Sequence, residues 1–262
     1  MADPRNRLGA ASSPAALQAP SEAGVKARQR TLRPKDAATL VLVDRSQHEP
    51  RILMGRRQPT QVFLPDKYVF PGGRVDRGDR TMPSLTELAA ADQDLLLREM
   101  KGTPSIARTR ALALAAIRET FEEAGLILGA RPPAGTSKAP GKAGRPPAHE
   151  SWQRFLATGY MPSLSGLTFL ARAITPPARP RRYDTRFFLA DASALAQTSA
   201  NRDDELRDLG WFTLDEIRNL DLPNITRAIV EDLAERLAAP DRNIPVPYYR
   251  FEHGSFRRDL IT

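Results

Sequence analysis

With 262 residues, 41% of them hydrophobic, the chain can bury a domain-sized core, which excludes wholesale disorder. It contains no cysteine, which excludes disulfides, thiolate nucleophiles and cysteine zinc sites together. The formal charge of +8 is concentrated: residues 1–35 hold seven Lys/Arg against two acidic residues and residues 131–150 hold four against one, leaving the rest neutral.

Two solvated basic segments are not a basic stripe on a folded face, so no nucleic-acid partner is expected. No apolar run is long enough to span a bilayer, and the N-terminus lacks the pattern of a secretory signal. The expectation is a cytoplasmic protein without a membrane partner.

In chain order, residues 1–34, rich in Ala, Pro and Ser, read as a disordered basic tail ahead of a domain at 35–241. Residues 38–43 are a short β-rich apolar run, the pattern of a buried strand, and 51–56 read as its hairpin partner. Residues 68–70 read as a third strand, closed by Pro71, Gly72 and Gly73, where the backbone can turn sharply. Leu85, Leu88, Leu95 and Leu96 predict a helix over 84–100, followed by a break at 101–104. A second helix is predicted over 105–124, with Leu114, Ile117, Phe121 and Ala124 on one face and Gly125 placed to stop it.

Residues 131–150 read as a flexible low-complexity loop. Within it, 135–142 nearly match a phosphate-binding P-loop, but the spacing is one residue too long and Ala143 stands where a hydroxyl must meet Mg²⁺. Strands are predicted at 167–174, 182–189 and 209–213, then helices at 214–220 and 223–239. Residues 242–262 read as an extended C-terminal tail. Strands mixed with helices in this order indicate a layered α/β or α+β domain.

The chemistry is concentrated in Arg118-Glu-Thr-Phe-Glu-Glu-Ala-Gly-Leu126. On a helix, Glu119, Glu122 and Glu123 share one face, opposite Leu114, Ile117 and Phe121. Three like charges repel, and a hard cation such as Mg²⁺ turns that repulsion into attraction. Arg118 lies four residues before Glu122 and can pair with it. A solvated helix face with one ion pair would produce the same string, so this segment does not decide the question by itself.

Further matches lie elsewhere, and together they resemble the Nudix hydrolase family, whose signature is G-x5-E-x7-R-E-U-x-E-E-x-G-U with U aliphatic. The second half matches through Arg118, Glu119, Glu122, Glu123, Gly125 and Leu126, with Thr120 in the first U position. The first half matches at Gly73, preceded by Phe-Pro-Gly, and Asp79 stands where the family usually has Glu. Between Asp79 and Arg118 lie 38 residues in place of seven. An insertion there is similar to the branch of peroxisomal coenzyme A diphosphatase-like proteins and their bacterial relatives. Residues 69–76 and 181–188 look like that branch, and Asp204-Glu205 with 210–216 resemble the late strand and helix of Nudix domains.

The resemblance implies an α/β/α sandwich with a mixed central sheet and a helical insertion at about 80–110. It implies hydrolysis of a nucleoside diphosphate linked to another moiety. Glu119, Glu122 and Glu123 would ligate Mg²⁺ or Mn²⁺, with the carbonyl of Gly73 as an extra ligand and Arg118 completing the catalytic set. The general base is left between a box glutamate and Glu205. Arg179, Arg181 and Arg182 read equally as a phosphate-binding cluster, beside Glu205, or as a solvated loop. His48, His149 and His253 form no His-Glu-x-x-His zinc helix, and no Gly-x-Ser-x-Gly elbow occurs.

The coenzyme A branch usually has a Gly four residues before the Phe of Phe-Pro-Gly-Gly and an Arg four before that, where this chain has Asp66 and Val62. Coenzyme A and its acyl derivatives therefore stand beside nucleotide sugars, dinucleotides and nucleoside triphosphates as substrates. Two rivals are a non-catalytic nucleotide-binding module, which typically loses box carboxylates, and an RNA-end-processing enzyme using the basic tail. The insertion would either shape the pocket or form a homodimer contact.

Overall fold

The computed structural model describes residues 32–133, 149–177, 179–198, 202–239 and 244–262. Most of the expected tail and most of the expected loop, with its near-miss P-loop, lie outside the described residues.

The centre is β1 (Lys35–Asp44), whose alternate residues face opposite ways. Ala38, Leu40 and Leu42 enter one core, while Val41 and Val43 enter the other. A strand buried on both faces must be apolar almost throughout, which is why this run carries no polar alternation.

Around it, β2 (Arg51–Arg57) pairs antiparallel and β8 (Tyr183–Asp191) pairs parallel over nine residues. With β7 (Thr168–Ile174), β10 (Leu206–Thr213), β11 (Val246–Glu252) and β12 (Ser255–Ile261), the sheet runs β10-β2-β1-β8-β7-β11-β12. Short β3 (Tyr68–Val69) and β4 (Gly72–Arg74) pair with β2 and β1. A second, three-stranded sheet joins β5 (Leu126–Ala130), β6 (Met161–Pro162) and β9 (Leu195–Thr198).

One face of the large sheet is covered by α2 (Ile106–Ala124), with α1 (Ala90–Leu97) and α3 (Glu150–Ala157) beside it. The other face is covered by α4 (Leu214–Arg218) and α5 (Asn224–Ala238). The expected α/β/α sandwich with a mixed sheet is the fold observed.

The helix α2 follows its local code. Ser105 caps the N-terminus by accepting from the Arg108 N–H at 3.2 Å. Gly125 ends the helix at φ 68, a left-handed position that a side chain would strain. The run from Ala111 to Ile117 is buried, and each large apolar side chain there contributes about 1.5–3 kcal/mol by leaving water.

Three expectations need correction. The helix expected over 84–100 is confined to α1. Thr86 is held instead by Ser163 at 2.7 Å and by the N–H groups of Leu164 and Ser165 at 3.0 Å, and Leu85 N–H donates to the Pro162 carbonyl. The leucine spacing records burial, as Leu88 and Leu96 show, but long-range hydrogen bonds take the backbone of 84–89 out of the helix. Second, the C-terminal residues are not a loose tail: β11 joins the sheet parallel to β7, and Val246, Tyr248, Tyr249 and Ile261 are buried. Pro247 is accommodated within β11. Third, α3, which the sequence reading left unassigned, starts at the last residue of the expected loop and buries Trp152 and Phe155 completely.

Candidate active site

The last two turns of α2 carry Arg118, Glu119, Glu122 and Glu123, and β4 crosses directly beside them. Ala38 opposes Gly73 and Thr39 opposes Gly72 across the β1–β4 pair, so Gly72 and Gly73 lie in a strand and not in the expected sharp turn. Both glycines serve close approach. A Cβ on Gly72 would stand 2.6 Å from the Ala38 carbonyl oxygen, and one on Gly73 would fall on the Glu119 carboxylate. The Gly72 N–H donates to Glu123 Oε2 at 2.8 Å. The two halves of the pattern therefore meet, although residues 80–105 intervene and place α1 against α2 and β7.

Arg118 is the centre of a clamp. Its Nε–H donates to Asp79 at 2.8 Å, Nη1 to Glu119 at 2.9 Å and Glu122 at 3.1 Å, and Nη2 to the Arg74 carbonyl at 2.9 Å and Asp79 at 3.1 Å. Its five N–H groups are all used. Burial opposes its charge, but hydrogen bonds to Asp79 and the charges of Glu119, Asp79 and Glu122 outweigh burial and raise its pKa. Arg118 thus orients carboxylates and has no donor left for a substrate.

Asp79, fully buried, also accepts from Trp152 Nε1 at 2.9 Å and from the Asp76 N–H at 2.7 Å. The shorter Asp in the family's Glu position still reaches the arginine, and an indole from α3 supplies an additional donor.

A cavity of about 270 Å³ is lined by Arg74, Asp76, Arg118, Glu119, Glu122, Glu123, His149, Asp203 and Glu205. Six of these are carboxylates. Burial, reinforced by Glu122 and Asp79 and opposed by Arg118, pushes Glu119 up to about 7. Burial and then the charge of Glu119 push Glu123 well above the carboxylate range, against the Gly72 N–H. Asp76 moves the other way, lowered chiefly by the Gly78 N–H and then by nearby His149, Arg118 and Arg74 against the effect of burial.

Among the described residues no three acidic or imidazole groups stand as a ready-made metal cage. Glu119 and Glu122 are instead turned onto Arg118. The donor set nevertheless fits a hard divalent cation: Glu123 Oε1 is buried with no hydrogen-bond partner, and the charge of Glu119 adds to what burial costs it.

Glu205, singled out from the sequence, lies on this cavity. Arg181 and Arg182 do not: Arg181 is exposed, and Arg182 donates to the carbonyls of Thr175 at 3.0 Å and Leu32 at 2.7 Å. The 181–188 stretch works in the core, where Asp184 accepts from Arg172 at 2.8 Å and 2.7 Å and pairs with buried Arg186. Asp66, in the branch's glycine slot, adopts φ 57 and pairs with Arg56 and Arg207, each at 3.3 Å. The backbone at that position is the left-handed form that suits glycine.

Sequence reasoning missed Arg74, Asp76, His149 and Asp203. Arg74 and Asp76 lie inside the quoted 69–76 stretch and were legible there. Asp203 reaches the cavity because its N–H donates to the Glu122 carbonyl at 2.6 Å and Arg154 pairs with its carboxylate at 3.2 Å, contacts that no local pattern records.

Known proteins share sequence and fold with this chain. The chain is 29% identical over 200 residues to the acyl-coenzyme A diphosphatase NUDT19 of Gallus gallus, covering 61% of this chain and 53% of that protein. It is 30% identical over 177 residues to that of Homo sapiens, covering 53% and 47%. It spans about half the length of the curated relatives it matches. A NUDIX hydrolase structure from Alicyclobacillus acidocaldarius aligns with a TM-score of 0.55 at 28% identity, over 76% of this chain and 90% of that one. Residues 34–221 match the family model of the NUDT19 Nudix domain; this span contains the whole cavity wall, and the chain belongs to the NUDT19 Nudix domain family.

Proposed function

We propose that the chain is a divalent-metal-dependent Nudix hydrolase that cleaves the phosphoanhydride bond of a nucleoside diphosphate derivative, with coenzyme A or an acyl-coenzyme A as leading substrate. The observation that carries this reading is the convergence of Glu119, Glu122 and Glu123 on one acid-lined cavity, with Gly73 packed against the Glu119 carboxylate and Gly72 bonded to Glu123. The names of the curated relatives support the choice of coenzyme A derivatives.

Glu119, Glu122, Glu123 and the Gly73 carbonyl would hold Mg²⁺ or Mn²⁺. When bound, the ion neutralises phosphate oxygens and makes water a better nucleophile at neutral pH. Arg118 keeps two of the carboxylates facing the cavity by pairing with both. Glu205, which lines the same cavity, or one of the box glutamates would take the proton of the attacking water. The water oxygen bonds to phosphorus, the bridging P–O bond breaks, and the leaving phosphate carries the electron pair away. The substrate is a small molecule, and no described helix is long and apolar enough to cross a membrane.

The test is a panel of diphosphate substrates with Mg²⁺ or Mn²⁺ and products identified by mass. Glu122→Gln and Glu123→Gln are each expected to lower kcat by on the order of a hundredfold or more, with the circular dichroism of the fold retained. Undiminished Mg²⁺-dependent turnover by both variants refutes the reading.

A further inference from the structure

We propose that His149 is a substrate contact, presenting its imidazole Nε2 to a phosphate oxygen of the nucleoside diphosphate; the inference rests on the function proposed above. Phosphate oxygens only accept hydrogen bonds, and the cavity is walled mainly by carboxylates, which in the ionised form that holds a cation also only accept. Arg118 has spent every N–H on Asp79, Glu119, Glu122 and the Arg74 carbonyl. Among the described lining residues, the side chains still able to donate are Arg74, which is exposed, and His149.

The backbone of His149 is held in place. Its carbonyl accepts from the Gln153 N–H at 3.2 Å, so it opens α3, and α3 is anchored by Trp152 on Asp79 at 2.9 Å. Trp152 and Phe155 stack edge to face, as do Phe155 and Phe121, tying α3 to α2. Gly78 leaves room for the ring: a Cβ there would stand 2.8 Å from His149 Cβ.

Yet Nδ1 is buried with no hydrogen-bond partner among the described residues, while the residue lines the cavity. A buried polar group left unsatisfied calls for an explanation. A ring that lines the cavity, with a buried nitrogen that has no hydrogen-bond partner among the described residues, is organised for a ligand. The His149 imidazole stands near the Asp76 carboxylate on the wall of the cavity, and a phosphate drawn to a cation there would need a donor.

Two measurements test this. His149→Ala is expected to raise KM for coenzyme A roughly ten- to a hundredfold, the loss of one hydrogen bond to a charged group, with little change in kcat. His149→Gln, whose amide nitrogen reaches the Nε2 position, restores most of the loss, and His149→Asn does not.

The second readout is independent of turnover. The chain has three histidines, of which His48 and His253 are exposed. In nitrogen-15 spectra of the imidazoles, ADP with Mg²⁺ should move the His149 signals and leave the other two in place. Wild-type turnover with unmoved His149 signals, or an Ala variant with wild-type KM, overturns the proposal while the hydrolase reading stands. A wild-type protein that neither hydrolyses any diphosphate nor binds ADP removes both.

Discussion

Replacing Arg118 by Met isolates the clamp. The substitution keeps an unbranched side chain of similar length, but it leaves the Asp79 carboxylate at 0% exposure with only the Trp152 indole and the Asp76 N–H as donors. Removing one partner of a buried ion pair costs about 3–5 kcal/mol, because the remaining charge is stranded out of water. Asp79→Asn is gentler. Its amide oxygen still accepts, and Arg118 keeps Glu119 and Glu122, so a loss of about 1–2 kcal/mol is expected. In the double variant the stranded charge is gone. The two losses should therefore fall short of additivity by at least about 1.5 kcal/mol.

The assay is equilibrium urea unfolding followed by the fluorescence of Trp152 and Trp211, with ΔG compared at constant m. Against a total stability of about 5–15 kcal/mol, the Met variant remains folded but loses a large share. A loss below about 1 kcal/mol, or strictly additive single variants, would show that the Asp79–Arg118 pair does not organise this region.

Two further outcomes follow from the same site. Without metal, the Glu119 carboxyl at about 7, against 4.5 ordinarily, contributes stability that is complete below pH 4.5 and lost as pH rises through 7, amounting to about 3 kcal/mol. Urea titrations in EDTA from pH 4.5 to 8 should show this decline, and Glu119→Gln should flatten it; an unchanged slope in the Gln variant refutes the assignment. Gly72→Ala and Gly73→Ala should separate fold from function. The first drives a Cβ against the β1 backbone and should cost about 2–3 kcal/mol, whereas the nearest atoms to the second are those of the Glu119 carboxylate, so kcat falls while the melting temperature stays within a few degrees. Calorimetry beside steady-state kinetics checks both.

The parts of the site legible in the sequence are those written in local spacing. Glu119, Glu122 and Glu123 occupy one face because a helix repeats every 3.6 residues, and Gly125 stops that helix because left-handed backbone suits glycine. The strand β1 was readable because burial on both faces demands an unbroken apolar run. The Arg179–Arg182 cluster shows the opposite case. Its charge suggested phosphate binding, but Arg182 serves backbone carbonyls and Arg181 faces solvent, which charge alone does not distinguish.

By itself, then, the sequence determined the layered architecture and the acidic helix, since periodicity is a property of short segments; the meeting of that helix with the glycine pair was implied only by the family resemblance. Only the tertiary structure decided that the glycines sit in a strand, that Arg118 is saturated, that α3 brings Trp152 and His149 to the site, and that the last residues complete the sheet. Those outcomes depend on hydrogen bonds between residues dozens of positions apart, formed after the chain collapses and absent from any local pattern.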